Sequence, residues 1–132
     1  MNRNMLVGLA AALCLVTLAS CAAPTTSKAT VQIITPEEAK SRLDADAGIV
    51  LVDVRTKEEF DAGHIANALL VPVDTLAAEA AKVLPDKNAT YFVYCRSGNR
   101  SATASKLLVD MGYTHVYDLG GIIDWTYGIV VS

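Results

Sequence analysis

The chain has 132 residues, which allows one domain, and 52% of them are hydrophobic. Its formal net charge is −3, and outside positions 96–100 the basic residues form no cluster, which argues against nucleic acid as a partner. The residue pattern predicts no metal site and no cofactor.

The N-terminus begins with a short positively charged stretch, and residues 5–19 are then almost entirely apolar. This segment is shorter than the roughly 20 residues of a membrane-spanning helix and has the length of a signal-peptide core. A short transmembrane anchor is the alternative interpretation. The end of the segment, Leu18-Ala19-Ser20-Cys21, resembles the lipobox of bacterial lipoproteins, in which the chain is cut before the cysteine.

The lipobox resemblance implies that residues 1–20 are a lipoprotein signal peptide and that Cys21 carries lipid. Residues 21–30 are small and polar and predict a flexible tether, followed by a folded domain over 31–132. The protein would then be exported and anchored to a bacterial membrane, facing the periplasm or the exterior. Ala22, in place of an aspartate, points to the outer membrane if the host is Gram-negative.

Strand and helix signals alternate along the predicted domain. Thr35 and Thr56 each precede a glutamate at capping distance, so each predicts a helix start. The expected strands lie at 31–34, 49–52, 90–94 and 115–119, and the segment 64–72 is apolar enough for another. The expected helices cover 36–43, 57–62, 74–84, 101–111 and 122–127.

Central strands that are continuously apolar, alternating with helices, predict an α/β fold: a parallel sheet with helices on both faces. Active sites in such sheets lie at the carboxyl ends of the strands. Cys95 lies at one such end, and Asp53 and Arg55 lie at another. We expect the latter two to brace the strand and loop rather than to contact substrate.

Cys95 is the candidate nucleophile. It is the only free thiol left if Cys14 leaves with the signal peptide and Cys21 is lipidated. A strand-loop-helix turn directs backbone N–H groups at one point, and two arginines follow, so the turn favours a thiolate. The alternative is that Cys95 is an inert core residue.

Several pieces of the chain, in order, resemble a single-domain rhodanese. They are Leu-Val-Asp-Val-Arg at 51–55, Glu-Glu-Phe at 58–60, Gly-His-Ile at 63–65, Val-Pro at 71–72, Cys-Arg-Ser-Gly-Asn-Arg-Ser at 95–101, Gly-Gly at 120–121 and Trp125. Two departures are Asn67, where the family usually has glycine, and the absence of a proline near Ile129. Asparagine tolerates the left-handed backbone next best, so we expect the turn at Asn67 to be kept.

The resemblance implies a sulfurtransferase that moves a sulfane sulfur through a persulfide on Cys95. The donor would be a small anion such as thiosulfate, and the acceptor a thiol or cyanide. The implied substrate-binding loop consists of Arg96, Ser97, Gly98, Asn99, Arg100 and Ser101. The alternative, non-catalytic roles are that Arg96 is a solvated surface residue and that Arg100 forms a structural ion pair with a carboxylate. His64 is expected to be a structural, hydrogen-bonded histidine, and Trp125 a core residue.

Two other functions are open at this point. A related phosphatase fold places its arginine six positions after the cysteine, whereas here Arg100 is one residue early and Ser101 takes that position. The loop is thus one residue short for encircling phosphate. The other function is that of a persulfide carrier, or of a docking or sensing module, without repeated catalytic turnover of substrate.

Overall fold

The computed structural model describes residues 19, 20, 22 and 27–132. The predicted signal peptide lies outside these residues except for its last two positions, and so does Cys21. Of the predicted tether, the described positions have no regular secondary structure. No helix within the described part of the chain is both long and apolar enough to cross a membrane.

The predicted α/β architecture is confirmed. The strands are β1 (Gln32–Ile33), β2 (Val50–Asp53), β3 (Leu69–Leu70), β4 (Thr90–Cys95) and β5 (His115–Gly121). The helices are α1 (Pro36–Ala45), α2 (Lys57–Ala62), α3 (Val73–Val83) and α4 (Asn99–Asp110), followed by a 3₁₀ turn at Ile122–Asp124. All strand pairs within the sheet are parallel, in the order β1-β5-β4-β2-β3.

The central strand β4 separates two apolar layers. Tyr91, Val93 and Cys95 point to the layer formed with α3 and α4, while Phe92 and Tyr94 point to the layer that α1 covers. Burying each large apolar side chain stabilises the fold by roughly 1.5–3 kcal/mol. Because a shift of β4 would expose such side chains, burial on both faces fixes the position and register of the strand. This fixed strand carries Cys95 at its last position.

Both predicted helix caps are present. The Thr35 hydroxyl accepts the Glu38 N–H at 3.2 Å, and Pro36 is the first residue of α1. Thr56 and Glu59 form a reciprocal capping box at the start of α2. Each such cap is worth about 1 kcal/mol, and the second one also fixes Glu59 near the carboxyl edge of the sheet.

Several observed boundaries differ from the predicted ones. The helix expected from residue 101 begins at Asn99, because Gly98, with a φ of 109°, turns the chain directly into the helix. The strand expected at 115–119 continues to Gly121. Only Leu69–Leu70 of the segment 64–72 is a strand, because Asn67 makes a turn with a φ of 64°. The last helix is a single 3₁₀ turn.

Candidate active site

Cys95 lies at the carboxyl end of β4, opposite Gly121 of β5, and only 1% of its surface is exposed. After Cys95 the chain bends across Gly121. A Cβ atom at position 121 would lie 2.4 Å from the Arg96 carbonyl oxygen and 2.7 Å from the Ser97 Cα. Glycine at this position therefore permits the loop to close over the strand ends and surround the thiol.

Backbone donors converge on the sulfur. The Gly98 N–H donates to the Cys95 Sγ at 3.0 Å. Burial raises the pKa of the Cys95 thiol and is the largest single influence on it. The Ser101 N–H and hydroxyl, together with the Gly98 and Ser97 N–H groups, outweigh that influence, and the pKa lies below its ordinary value. The loop thus favours a thiolate at an almost completely buried position.

Ser101 belongs to this cradle and is itself completely buried. Its hydroxyl lies 2.7 Å from the Asp118 Oδ1 and 3.0 Å from the Gly98 carbonyl oxygen. The same Asp118 oxygen accepts the Gly120 N–H at 2.9 Å. The buried carboxylate of β5 therefore joins the first turn of α4 to the strand end.

Arg100 does not point freely at the thiol. Its two terminal nitrogens bind both Glu59 oxygens, at 2.7 and 2.8 Å, in a bidentate ion pair. Arg100, first through its hydrogen bonds, lowers the pKa of Glu59 to about 2. A carboxylate thus fills the Arg100 fork, as in the alternative interpretation of this residue.

Arg96, the residue that follows Cys95 in the chain, is exposed. It lines a cleft of about 490 Å³ together with the apolar side chains Ile122, Ile123 and Ile129. Arg55 and Glu59 also line the cleft, each held in an ion pair, so the cleft combines charged side chains with an apolar wall. Of the other loop residues, the structure leaves Ser97 and Asn99 exposed.

Asp53 and Arg55 form a buried ion pair. Both side chains are buried, and the Arg55 guanidinium donates to the two Asp53 oxygens at 2.7–3.1 Å. The Arg55 Nη2, which donates to Asp53, also donates to the Gly63 carbonyl oxygen at 2.8 Å. The pair fastens the end of β2 to the end of α2, next to the cleft.

His64 is structural, as expected: its Nδ1 lies 2.9 Å from the Phe60 carbonyl oxygen, and its ring stacks on Phe60 at 3.7 Å. Trp125 differs from the expectation. It packs against the core but is only partly buried, and its Nε1 donates to the Gly128 carbonyl oxygen at 3.0 Å. It lines the cleft beside Arg96.

Sequence reasoning missed two residues of the site, Glu59 and Asp118. The capping-box pattern identified Glu59 only as a cap, and no local pattern marks Asp118. Both make their site contacts with residues far along the chain, 41 and 17 positions away respectively. Within the described part of the chain, no three metal-ligating side chains form a cluster.

A buried thiol at the end of a central parallel strand, ringed by backbone donors, defines an α/β domain with a cysteine at an anion-binding loop. Residues 35–127 match the family model described as the rhodanese-like domain. The chain belongs to this family.

Two relatives illustrate the relationship. The thiosulfate sulfurtransferase PspE of Escherichia coli is 40% identical over 73 residues, covering 55% of this chain and 70% of its own length. A sulfurtransferase of Allochromatium vinosum is 36% identical over 96 residues, covering 72% and 88%. These relationships support a sulfurtransferase function and place the protein among the rhodanese-like transferases.

Solved structures show the same fold. A rhodanese from E. coli, determined with anions, is 36% identical with a TM-score of 0.60, covering 64% of this chain and 99% of its own. A rhodanese-like domain protein from Staphylococcus aureus is 34% identical with a TM-score of 0.67, covering 76% and 98%.

Proposed function

We propose that Cys95 is the sulfur-carrying nucleophile of this sulfurtransferase and that thiosulfate, or a donor of similar charge, loads it. The observation that carries the proposal is the Cys95 thiol, buried at the strand end and bound by the Gly98 N–H at 3.0 Å. A thiolate is the form that attacks a sulfane sulfur, and the cradle favours that form.

The reaction balances in two displacements. In the first, the Cys95 thiolate attacks the outer sulfur of thiosulfate, a sulfur–sulfur bond forms, and sulfite leaves with the electron pair of the broken bond. In the second, an acceptor thiolate or cyanide attacks the outer sulfur of the persulfide and the Cys95 thiolate leaves. The negative charge moves to the outer sulfur in the loaded state, where backbone N–H groups of the loop would stabilise it.

The loop residues divide between two proposed roles. The Gly98 N–H supplies a hydrogen bond to the sulfur, and Ser97 and Ser101 help to lower the pKa of the thiol. Arg96 supplies the exposed positive charge that attracts an anionic donor to the cleft. Arg100 acts indirectly, since its ion pair with Glu59 holds the first turn of α4 in place.

Intact mass spectrometry tests the proposal. Thiosulfate should add one sulfur atom to the protein, and cyanide should remove it. Cys95→Ser replaces only the side-chain sulfur by oxygen, so it should fold normally and take up no sulfur. Full sulfur uptake by Cys95→Ser would refute the assignment of Cys95.

Kinetic measurements on the same protein distinguish an enzyme from a carrier. Repeated turnover of thiosulfate and cyanide supports the enzyme, whereas transfer of a single sulfur per protein molecule supports the persulfide carrier or docking module. Phosphatase chemistry has less support, because Glu59 already occupies the Arg100 fork. Hydrolysis of a chromogenic phosphate ester that depends on Cys95 would overturn this ranking.

We also propose that the chain is exported and lipid-anchored through Cys21, with residues 1–20 removed. The support is the motif Leu18-Ala19-Ser20-Cys21, which follows an apolar segment and precedes a polar tether. In a bacterial host, wild type and Cys14→Ser should gain lipid and lose residues 1–20, while Cys21→Ser should do neither. Equal processing of Cys21→Ser would contradict the lipid anchor.

A further inference from the structure

The cleft that Arg96 lines is larger than a small inorganic donor requires. Its volume of about 490 Å³ lies within the roughly 300–1,000 Å³ of pockets that bind organic molecules. The cleft borders the loop directly, because the Ile123 N–H donates to the Arg96 carbonyl oxygen at 3.3 Å and Gly121 lies opposite Cys95. Thiosulfate therefore leaves much of this space to be explained by the other substrate, the sulfur acceptor.

The charged side chains of the cleft leave Arg96 available to a ligand. Arg55 and Glu59 are already held in ion pairs. No carboxylate among the described residues forms an ion pair with Arg96, whose side chain is exposed. A guanidinium matches the geometry of a carboxylate. The cleft is thus complementary to a ligand that carries one negative group.

The apolar wall of the cleft faces water. Ile123 and Ile129 are 64% and 54% exposed, and the partly buried ring of Trp125 lies along the same cleft. Covering apolar surface is favourable because it removes that surface from water, and exposed apolar groups gathered at a cleft are typical of a binding site. The wall is thus complementary to the apolar body of a ligand.

We infer that the cleft binds the sulfur acceptor and that this acceptor is a small organic thiol with an apolar body and one carboxylate. The carboxylate binds Arg96, and the apolar body covers Ile123 and Ile129. Cys95 is 1% exposed, so a slim thiol end is the part that reaches its persulfide. The inference rests on the proposed function and specifies its acceptor.

The donor and the acceptor use the cleft in turn, because sulfite leaves before the acceptor enters. The acceptor thiol first gives its proton to solvent. Its thiolate attacks the outer sulfur of the Cys95 persulfide, and a new sulfur–sulfur bond forms. The Cys95 thiolate leaves with the electron pair of the broken bond, and the product is an organic persulfide.

Binding to the cleft can be measured without sulfur transfer. Trp125 is the one tryptophan of the chain and lines the cleft, so its fluorescence reports a ligand there. The probe is para-carboxybenzyl methyl sulfide, which has the carboxylate and the apolar body but no thiol. Ile123→Asn and Arg96→Gln should each weaken its saturable binding by about three- to tenfold. Absence of saturable binding, or unchanged binding in both variants, would overturn the inference.

Discharge of the loaded protein tests the acceptor role. Protein loaded with thiosulfate and freed of excess donor is mixed with para-carboxybenzyl mercaptan, with its uncharged carboxamide analogue, or with mercaptoacetate, which lacks the apolar body. Ile123→Asn should lower the rate ratio of the first thiol to mercaptoacetate by about three- to tenfold. Arg96→Gln should lower the ratio of the first thiol to the carboxamide by a similar factor. Each ratio compares thiols on one protein, so a general loss of activity cancels.

Val131→Asn is the matched control, because Val131 is an exposed apolar residue of the same segment that does not line the cleft. It should leave the probe binding and both ratios unchanged. Equal ratios in the wild type and in both cleft variants would overturn the inference and favour a protein thiol as the acceptor. Normal probe binding without any sulfur uptake by the wild type would instead refute the proposed function and leave the ligand site standing.

Discussion

Glu59 serves two partners at once: it caps α2 through the Thr56 N–H at 3.0 Å and binds both terminal nitrogens of Arg100. Its pKa is lowered from 4.5 to about 2, mainly by the Arg100 hydrogen bonds. Because the pKa is lower in the folded state, the ion pair stabilises the protein fully above about pH 4.5. That stabilisation is lost as the pH falls from there through about 2.

Glu59→Gln should therefore destabilise the protein in a pH-dependent way. Glutamine keeps an acceptor for the cap but removes the charge that Arg100 binds. For a partly exposed pair with good bidentate geometry, we expect a loss of about 1 kcal/mol at neutral pH and a much smaller loss near pH 3. Urea unfolding at the two pH values measures both.

The neighbouring Glu58 provides the control, since it is exposed on the same turn of α2. Glu58→Gln should change the free energy of unfolding by less than about 0.5 kcal/mol at either pH. A loss from Glu59→Gln that is equally large at both pH values would show that the cap or packing is responsible and that the ion pair contributes nothing.

At the scale of elements, the carboxyl end of β2 is joined to α2 by the buried Asp53–Arg55 pair and by the Arg55 bond to the Gly63 carbonyl oxygen. Asp53→Asn leaves the guanidinium buried without an opposite charge. Removing one partner of a buried pair costs about 3–5 kcal/mol, so we expect a loss in that range by urea unfolding.

Replacing both charges should cost less than replacing one. In Asp53→Asn/Arg55→Met no uncompensated charge remains, and the loss should fall to roughly 1–2 kcal/mol, mainly for the bond to Gly63. Asp61→Asn, in the exposed pair with Lys57, is the control and should cost less than about 1 kcal/mol. A double variant as unstable as the single one would contradict this account.

The order of these elements could be predicted because its signals are local. The apolar run before Asp53, the threonine caps and the turn at Asn67 each depend on a few adjacent residues. The start of α4 was missed for a local reason as well, because Gly98 replaces a side-chain cap with a backbone turn.

The contacts that complete the site are not local. The loop from Cys95 to Ser101 could be identified from its own residues and its resemblance to rhodaneses. The pairing of Arg100 with Glu59 and of Ser101 with Asp118 spans 41 and 17 positions, and depends on how the strands line up. Many carboxylates were possible partners for Arg100 and for Ser101. The actual partners could therefore be identified only from the folded structure.

At the scale of the whole molecule, the last residues of the chain return to the edge of the cleft. Val130 and His64 exchange backbone hydrogen bonds of 2.9 and 2.8 Å in an antiparallel bridge, although the sheet itself is parallel. Ile129 packs over Gly63, where an added Cβ would lie 2.7 Å from the Ile129 Cδ1. The segment thus covers the end of α2, to which Arg55 is bound.

Deleting residues 129–132 should uncover the end of α2 and destabilise the protein. Three backbone hydrogen bonds are lost, the two of the bridge and the one from the Ser132 N–H to the Asp61 carbonyl oxygen. Together with the Ile129 contact they are worth about 1–3 kcal/mol. For a domain of this size, each kcal/mol lowers Tm by about 4–8 °C. Val131→Ala, at a side chain that is 71% exposed, is the control and should leave Tm nearly unchanged. Calorimetry of the wild type, the deletion variant and Val131→Ala measures Tm. An unchanged Tm after the deletion would mean that the cleft edge is held by the Asp53–Arg55 pair and not by the C-terminal segment.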